Sequence, residues 1–579
     1  MRINRHWLIM MAMLCATTLW AATDPRDDAS PWGISSSAEW SSEYPKFNPL
    51  ISQAGVRWLR LFPEWGSIQP KPGEFKWDGA DRIVADARTN NIHISGIFCY
   101  FAKFASADGG MRRGPIKDMT YFRDYVAASV ARYKNDIRYW EIWNEFNGSF
   151  YQGPNKVKEY ADLTVAAYDA AKQVDPTCKI GMSVANFDVA FLDAAIKAGA
   201  SNHFDFVCVH PYENLGTVAA NGESGYLSMA GSLRKMLASN HQPTNTPLWI
   251  TEIGFSAPIK PDPAQDALQA EMVAKGFILS VAQGFSRIEW FEARGPSYGK
   301  GTDLSLIRAD WSLRPAYQAL KTMTGTLGAE PKYLGWWKAG ADGYGFVFQG
   351  KAGNVLVAWS APGATNAVIF DAAVRVVDLA GKEMSLAARQ EQVLTSAPVF
   401  IVGLPEAIVA QAKVQAGKPF PWGNDYSQER EVSIRLGNSN VEKGINQLNP
   451  ATTLPDTLAN SDMCRRLNFK HGSEGRYAYF RVDPTFAPFG TKELEITLVA
   501  RRIAADKAAG TTLLYESTAG YRSAKGGFSI PAGDDWQEYT WKVDDANFVG
   551  QWGWNFRFEA TGSPNEFLIR EVRVTKTVK

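Results

Sequence analysis

The sequence predicts a (β/α)8 TIM barrel, an α/β fold, followed by a small β-domain and a C-terminal β-sandwich. Three observations predict it. Between residues 30 and 326, eight short apolar runs of strand length alternate with seven longer segments of helical period. Two of those runs break at a glutamate: Glu145 lies just before Asn147-Gly148, and Glu252 just before Gly254. Beyond residue 330 the helical period gives way to short alternating runs separated by Gly, Asp and Pro turns.

The first 23 residues read as a secretory signal. Arg2 and Arg5 precede an apolar run from Trp7 to Trp20, and the small pair Ala21-Ala22 follows; the run is short for a membrane span. Leu14 before Cys15 argues against a lipid anchor. The expectation is therefore a secreted protein, periplasmic or extracellular, with no stable membrane insertion. The chain of 579 residues is 45% hydrophobic and 21% charged, which places it among globular proteins of two or three domains. A net charge of +1 offers no field to steer a polyanion, so nucleic acid is not an expected partner. Cys99, Cys178, Cys208 and Cys464 show neither a disulfide framework nor zinc spacing, and a single bridge stays open.

The barrel is expected over 24–328, with strands at 32–35, 56–62, 92–100, 139–144, 179–184, 204–210, 248–253 and 287–292. Helices are expected near 79–90, 119–134, 156–173, 188–198, 227–239, 265–283 and 315–324. An open doubly wound sheet is the alternative, but no Gly-rich phosphate fingerprint follows the first strand. In such a barrel, catalytic groups collect at the carboxyl ends of the strands. Glu145 then ends the fourth strand and Glu252 the seventh. Two carboxyls facing one pocket are what glycosidic cleavage needs: one protonates the leaving oxygen, the other attacks the sugar or activates water.

Trp143-Asn144-Glu145 on the fourth strand and Thr251-Glu252 on the seventh resemble the two signatures of the retaining glycoside hydrolases of clan A. His210-Pro211-Tyr212, Arg60 and Trp290 each resemble a position lining the sugar subsite in that clan. The segments Trp290-Phe291-Glu292-Ala293-Arg294, Leu306-Ile307-Arg308-Ala309-Asp310 and Arg314-Pro315-Ala316-Tyr317 look most like family 39 and its bacterial exopolysaccharide-hydrolase relatives. The resemblance covers about half the chain, and Phe146-Asn147 departs from the commoner Pro-Asn after the acid/base.

The resemblance implies Glu252 as nucleophile and Glu145 as acid/base, with no cofactor and no metal in catalysis. It further implies that Arg60 and Tyr212 attend Glu252, that Asn144 donates to the sugar 2-hydroxyl, and that Trp290 is the platform under the ring. His210 belongs to the same substrate site, and Glu292, placed on the face of Trp290, is expected to touch substrate. Glu141 and Glu289 read as paired structural charges. Phe101, Phe104, Phe150, Tyr151 and Tyr298, with Lys103, Arg112 and Arg113, follow strands three, four and eight and suggest an extended cleft.

Residues 329–405 read as a small β-domain packed on the barrel, 406–430 as a linker or strap, and 431–579 as a sandwich resembling the jelly rolls of carbohydrate-binding modules. Tyr521, Trp536, Trp552 and Trp554 are its candidates for stacking on sugar. That resemblance leaves a structural Ca2+ open. The function expected is cleavage of β-glycosidic bonds in a polysaccharide or oligosaccharide by two glutamates. The alternatives are an exo-acting β-xylosidase-like glycosidase and a non-catalytic carbohydrate-binding or matrix protein on a barrel scaffold. Oligomeric state is not legible.

Overall fold

A computed structural model describes residues 24–36, 43–110, 114–294, 301–457, 463–503, 508–560 and 567–577. The expected leader with Cys15 lies outside them, as do Arg112, Arg113 and Tyr298. Eight parallel strands close a barrel in chain order: Trp32–Ser35, Trp58–Arg60, His93–Phe98, Tyr139–Ile142, Lys179–Ala185, Phe206–His210, Leu248–Ile253 and Arg287–Phe291. The eighth strand returns to the first, Gly33 opposite Glu289. This is the TIM barrel expected.

The strands are buried on both faces, and the two faces differ in chemistry. Ile34, Leu59, Ile142 and Ile250 belong to the large core under the surrounding helices. The inward face carries a separate small cluster of Phe206, Cys208 and Trp249 with Tyr139 against it. Above that cluster the inward positions are polar. Arg60 pairs laterally with Ser35 on one side and Ser95 on the other. Gly181 is required inside: a Cβ there would lie 2.1 Å from the Phe206 ring.

The helices expected between the strands are present, and one more precedes the second strand, Tyr44–Gln53. Its two prolines hid it. Pro45 falls in the first turn, where the missing N–H is no loss, but Pro49 sits inside the helix. The helix after the seventh strand, Pro263–Gln283, begins on Asp262, whose carboxylate accepts from the Ala264 and Gln265 amides, and ends on left-handed Gly284.

The second domain is a six-stranded sheet with a two-stranded flap, Asn366–Ile369 against Glu391–Leu394. The expected linker over 406–430 is corrected in its first half. Residues Glu406–Gln415 form a helix whose Ile408, Val409 and Ala412 complete this domain's core. The helix packs so closely that a Cβ on Gly335 would sit 1.8 Å from the Ala412 carbonyl. The second half is a strap: Trp422 packs on Phe346, and its indole N–H donates to the Gly343 carbonyl. Beyond residue 430, a seven-stranded and a six-stranded antiparallel sheet enclose one apolar core, a β-sandwich. All four described cysteines are buried and unbridged.

Candidate active site

The fourth strand ends in an unusual turn. Trp143 and Glu145 both hold left-handed backbone, φ 61° and 50°, a conformation that side chains with a Cβ rarely adopt. The Gly148 amide donates to the Glu145 carbonyl and closes the turn. Phe146 stacks on Tyr151 below it, while Asn147 bonds both the Ala185 amide and Asp188. The turn therefore breaks strand alternation and presents the adjacent residues Asn144 and Glu145 to one site.

Arg60 organises that site from the second strand. Its Nε donates to Glu141 Oε2 at 2.7 Å, Nη1 to Glu252 Oε1 at 2.7 Å and to Ser35, and Nη2 to Asn144 Oδ1 at 2.9 Å. Burial opposes its charge, but Glu141 and Glu252 outweigh burial and hold its pKa well above the ordinary value. Glu141 is buried too, yet Arg60 and His210 hold it down at about 2. Glu141 is thus the structural charge expected, an anchor for Arg60. Because guanidinium only donates, the Asn144 oxygen must face Arg60, and its Nδ2 donates to Tyr100 at 2.8 Å. An amide nitrogen carries a second hydrogen for a ligand.

Glu252 accepts on both oxygens, Oε1 from Arg60 and Oε2 from the Tyr212 hydroxyl at 2.9 Å. His210, fully buried, sets Nδ1 3.1 Å from Glu145 Oε1 and Nε2 3.1 Å from Thr251 Oγ1. Burial works against a charged ring, but Glu252, Glu141 and Glu145 together push His210 up to about 9. Carboxylate oxygens of Glu145 and Glu252 and a ring nitrogen of His210 lie within 4.8 Å of one another. A metal has that reach, but both Glu252 oxygens are already engaged by Arg60 and Tyr212, and the guanidinium beside them repels a second cation. No comparable cluster occurs among the described residues of the C-terminal domain, where the sequence left Ca2+ open.

Six of the eight expected residues therefore meet: Glu145, Glu252, Arg60, Asn144, His210 and Tyr212. Trp290 does not join them. It is fully buried, pairs with Ile34 and Ile253 on the outward face, and donates its indole N–H to the Leu304 carbonyl. Strand alternation gives the inward place to partly exposed Phe291, opposite Ser35. Glu292 is likewise fully buried, and the Leu306 amide donates to its carbonyl. Lateral pairing thus turns Trp290 outward and Phe291 inward, which corrects the expected platform.

Tyr100 and Ser35 are not singled out by the sequence. Tyr100 ends a run of apolar residues and looks like core until Asn144 is seen on its hydroxyl. Of the expected cleft aromatics, Phe101 and Tyr151 are buried beside Trp143, whereas Phe104 and Phe150 are partly exposed and Phe150 stacks on Tyr100.

Residues 63–187 match the sequence model of glycosyl hydrolase family 10, a span that contains Glu145 and stops before Glu252. Endo-1,4-beta-xylanase A of Halalkalibacterium halodurans is 29% identical over 117 residues; this chain covers 27% of its length, and 17% of this chain is matched. Endo-1,4-beta-xylanase 3 of Hypocrea jecorina is 24% identical over 282 residues, 47% of this chain and 77% of the fungal protein. Among solved structures, a family 39 glycoside hydrolase from Bacteroides cellulosilyticus superposes with a TM-score of 0.53 at 20% identity, over 66% of this chain and 81% of that one. These likenesses differ over the family and agree on the fold: the chain is a (β/α)8 barrel similar in part to the glycoside hydrolases of clan A, with Glu145 after its fourth strand and Glu252 in its seventh.

Proposed function

We propose that this protein hydrolyses β-glycosidic bonds of a xylan-type polysaccharide or its oligosaccharides with retention at the anomeric carbon. The observation that carries the reading is the placing of Glu145 and Glu252 oxygens within 4.8 Å of each other. Retaining enzymes hold their carboxyls about 5 to 5.5 Å apart, and inverting enzymes farther, to admit a water. The xylanase names of the curated relatives support the choice of sugar.

Glu252, with Arg60 and Tyr212 on its oxygens, is aimed as the nucleophile. Glu145 gives its proton to the leaving oxygen, and the carboxylate it becomes faces the His210 ring, which at about 9 is charged at neutral pH. A water then releases the sugar from Glu252, with Glu145 taking the proton back. Asn144, fixed by Arg60 and Tyr100, offers its remaining N–H to the 2-hydroxyl of the sugar. Phe291 is the partly exposed ring of the eighth strand in this pocket.

The test is turnover of a panel of xylans, β-glucans and bacterial exopolysaccharides by the native chain and by Glu145→Gln and Glu252→Gln. Both variants should lose roughly three or more orders of magnitude, the scale on which catalytic side chains act, and proton NMR of the first product should show the substrate's anomeric form. Inverted product would sink the double displacement, and glycan binding without cleavage by the native chain would favour a binding protein. Product length separates endo from exo action. Export is part of the proposal, resting on Arg2, Arg5 and the apolar run after them; among the described residues no helix is long and apolar enough to cross a membrane. Fractionation of the expressing cells, with sequencing of the mature N-terminus, checks it.

A further inference from the structure

The C-terminal sandwich sends one loop into the barrel. Val549 is buried in the barrel's own core, the Gly550 carbonyl accepts from Asn214 at 2.9 Å, and the Gln551 carbonyl accepts from the Phe187 amide at 3.2 Å. Asn214 and Phe187 follow the sixth and fifth strands, so the loop sits at the carboxyl end of the barrel, the end that holds the glutamates. Next along, a Cβ on Gly553 would lie 3.1 Å from the Glu213 carbonyl. Glu213 accepts from Asn186 at 2.8 Å, and its carboxyl is raised by burial and further by the charge of Glu145. Asn186 in turn accepts the His210 amide on its carbonyl at 3.2 Å, and the His210 ring faces Glu145 at 3.1 Å, so the loop, Asn186 and Glu145 follow one another around the barrel mouth.

At the tip of this loop stands Trp552. Residues 550–553 make a tight turn, the Gly553 amide on the Gly550 carbonyl, with left-handed glycines at both ends, φ 80° and 79°. The buried Glu516 clamps the turn by accepting from the Gly550 and Gln551 amides at 2.9 Å each and from Asn555 at 2.8 Å. Between those fixed points Trp552 remains 39% exposed, while Tyr521 stacks beneath it with ring centroids 4.5 Å apart and planes 22° apart. Trp554, behind them, is buried. A loop that served only to cover the barrel would bury its largest apolar side chain. This one displays it, rigid and backed by a second ring, one residue from the contacts to Phe187 and Glu213.

We infer that Trp552 is a sugar-stacking residue of the catalytic cleft on the acid/base side, so that the C-terminal domain walls the active site and reads the leaving-group end of the substrate. The inference rests on the hydrolase reading for the identity of the ligand, a β-linked pyranose chain. Its direction follows from chemistry: the acid touches the leaving oxygen, so the sugar beyond Glu145 belongs to the leaving group. A flat indole suits the apolar face of such a ring.

The experiment compares Trp552→Ala and Trp552→Phe with the parent on β-1,4-xylohexaose and on an aryl β-xyloside whose leaving group is a single ring. Trp552→Ala should lower kcat/KM on the hexasaccharide about tenfold more than on the aryl glycoside, the scale of one aromatic stacking contact, and Trp552→Phe should recover part of that ratio. An equal loss on both substrates, or none, would overturn the assignment. Calorimetric titration of xylohexaose into Glu145→Gln, with and without Trp552→Ala, separates this inference from the activity. Affinity that falls with Trp552→Ala sustains the subsite even in a chain that never cleaves; unchanged affinity, or no binding by Glu145→Gln at all, overturns it.

Discussion

Glu289, inside the barrel, accepts from the Ser95 hydroxyl at 2.6 Å, and its second oxygen has no hydrogen-bond partner among the described residues. Its neighbour Arg287 is held flat between Trp58 and Trp249, 3.2 and 3.7 Å from the ring centroids, and does not reach it with a hydrogen bond. Burial, only partly offset by Ser95 and Arg287, pushes Glu289 up to about 8. Between the ordinary carboxyl range near 4.5 and that value, the folded state keeps a proton that the unfolded chain has released. Stability therefore falls as pH rises through that window. His210 acts in the same direction: its contribution is complete below 6.5 and is lost as pH rises through about 9. Calorimetry should show the parent melting lower at pH 8 than at pH 5. Glu289→Gln, which keeps the shape and cannot ionise, should narrow that gap by a few degrees. An unchanged gap would mean that Glu289 is already ionised in the fold.

At the scale of the element, the end of the fourth strand trades backbone comfort for aim. Left-handed φ at Glu145 costs an L-residue roughly 1 to 2 kcal/mol, and glycine does not bear that cost. Glu145→Gly should accordingly melt above Glu145→Ala in denaturant, reversing the usual order of those two residues; the same or opposite order would show that the turn relaxes once the carboxylate is gone. The loop after the eighth strand is fastened differently. Arg314, buried, joins Asp266 at 2.8 Å and Asp303 at 2.7 Å, and Arg308 joins the other oxygen of Asp266. Asp266→Ala would leave two buried cations short of a partner, a loss of about 3 to 5 kcal/mol, to be read as a lowered denaturation midpoint. The segment around Arg308 and Arg314 is thus tied to the helix Pro263–Gln283 and to Asp303.

For the whole molecule, the described residues are held by cores and docking, with no cross-link among them. The four described cysteines are free, and each lies buried in a different part of the chain. The melting temperature should therefore be the same with and without reductant; a drop on reduction would expose a bridge. The sandwich shares Val549 with the barrel core and sets Arg481 against Gly225, where a Cβ would lie 2.3 Å from the guanidinium. The second domain docks on the same stretch of the barrel, where Tyr344 donates to Asn221 at 2.9 Å and the Trp359 indole to Glu223 at 3.1 Å.

The barrel and the six residues that gather in its mouth were legible in the sequence because local pattern carries them. Strand and helix periods set the element order, and an apolar run that stops at a glutamate marks a carboxylate at a strand's end. Trp290 is misplaced by the sequence because the phase of a strand is fixed by lateral pairing, here Trp290 with Ile34 and Phe291 with Ser35, and five residues alone do not state which face is inward. The helix over 406–415 was missed because its register is set by contact with Gly335, eighty residues away in sequence by rough count. The hydrogen bonds of Arg60 and the docking of the Gly550–Gly553 turn on Asn214 and Phe187 belong to the tertiary structure alone. They join residues far apart in the chain, and only closure of the barrel and docking of the sandwich bring such residues within bonding distance.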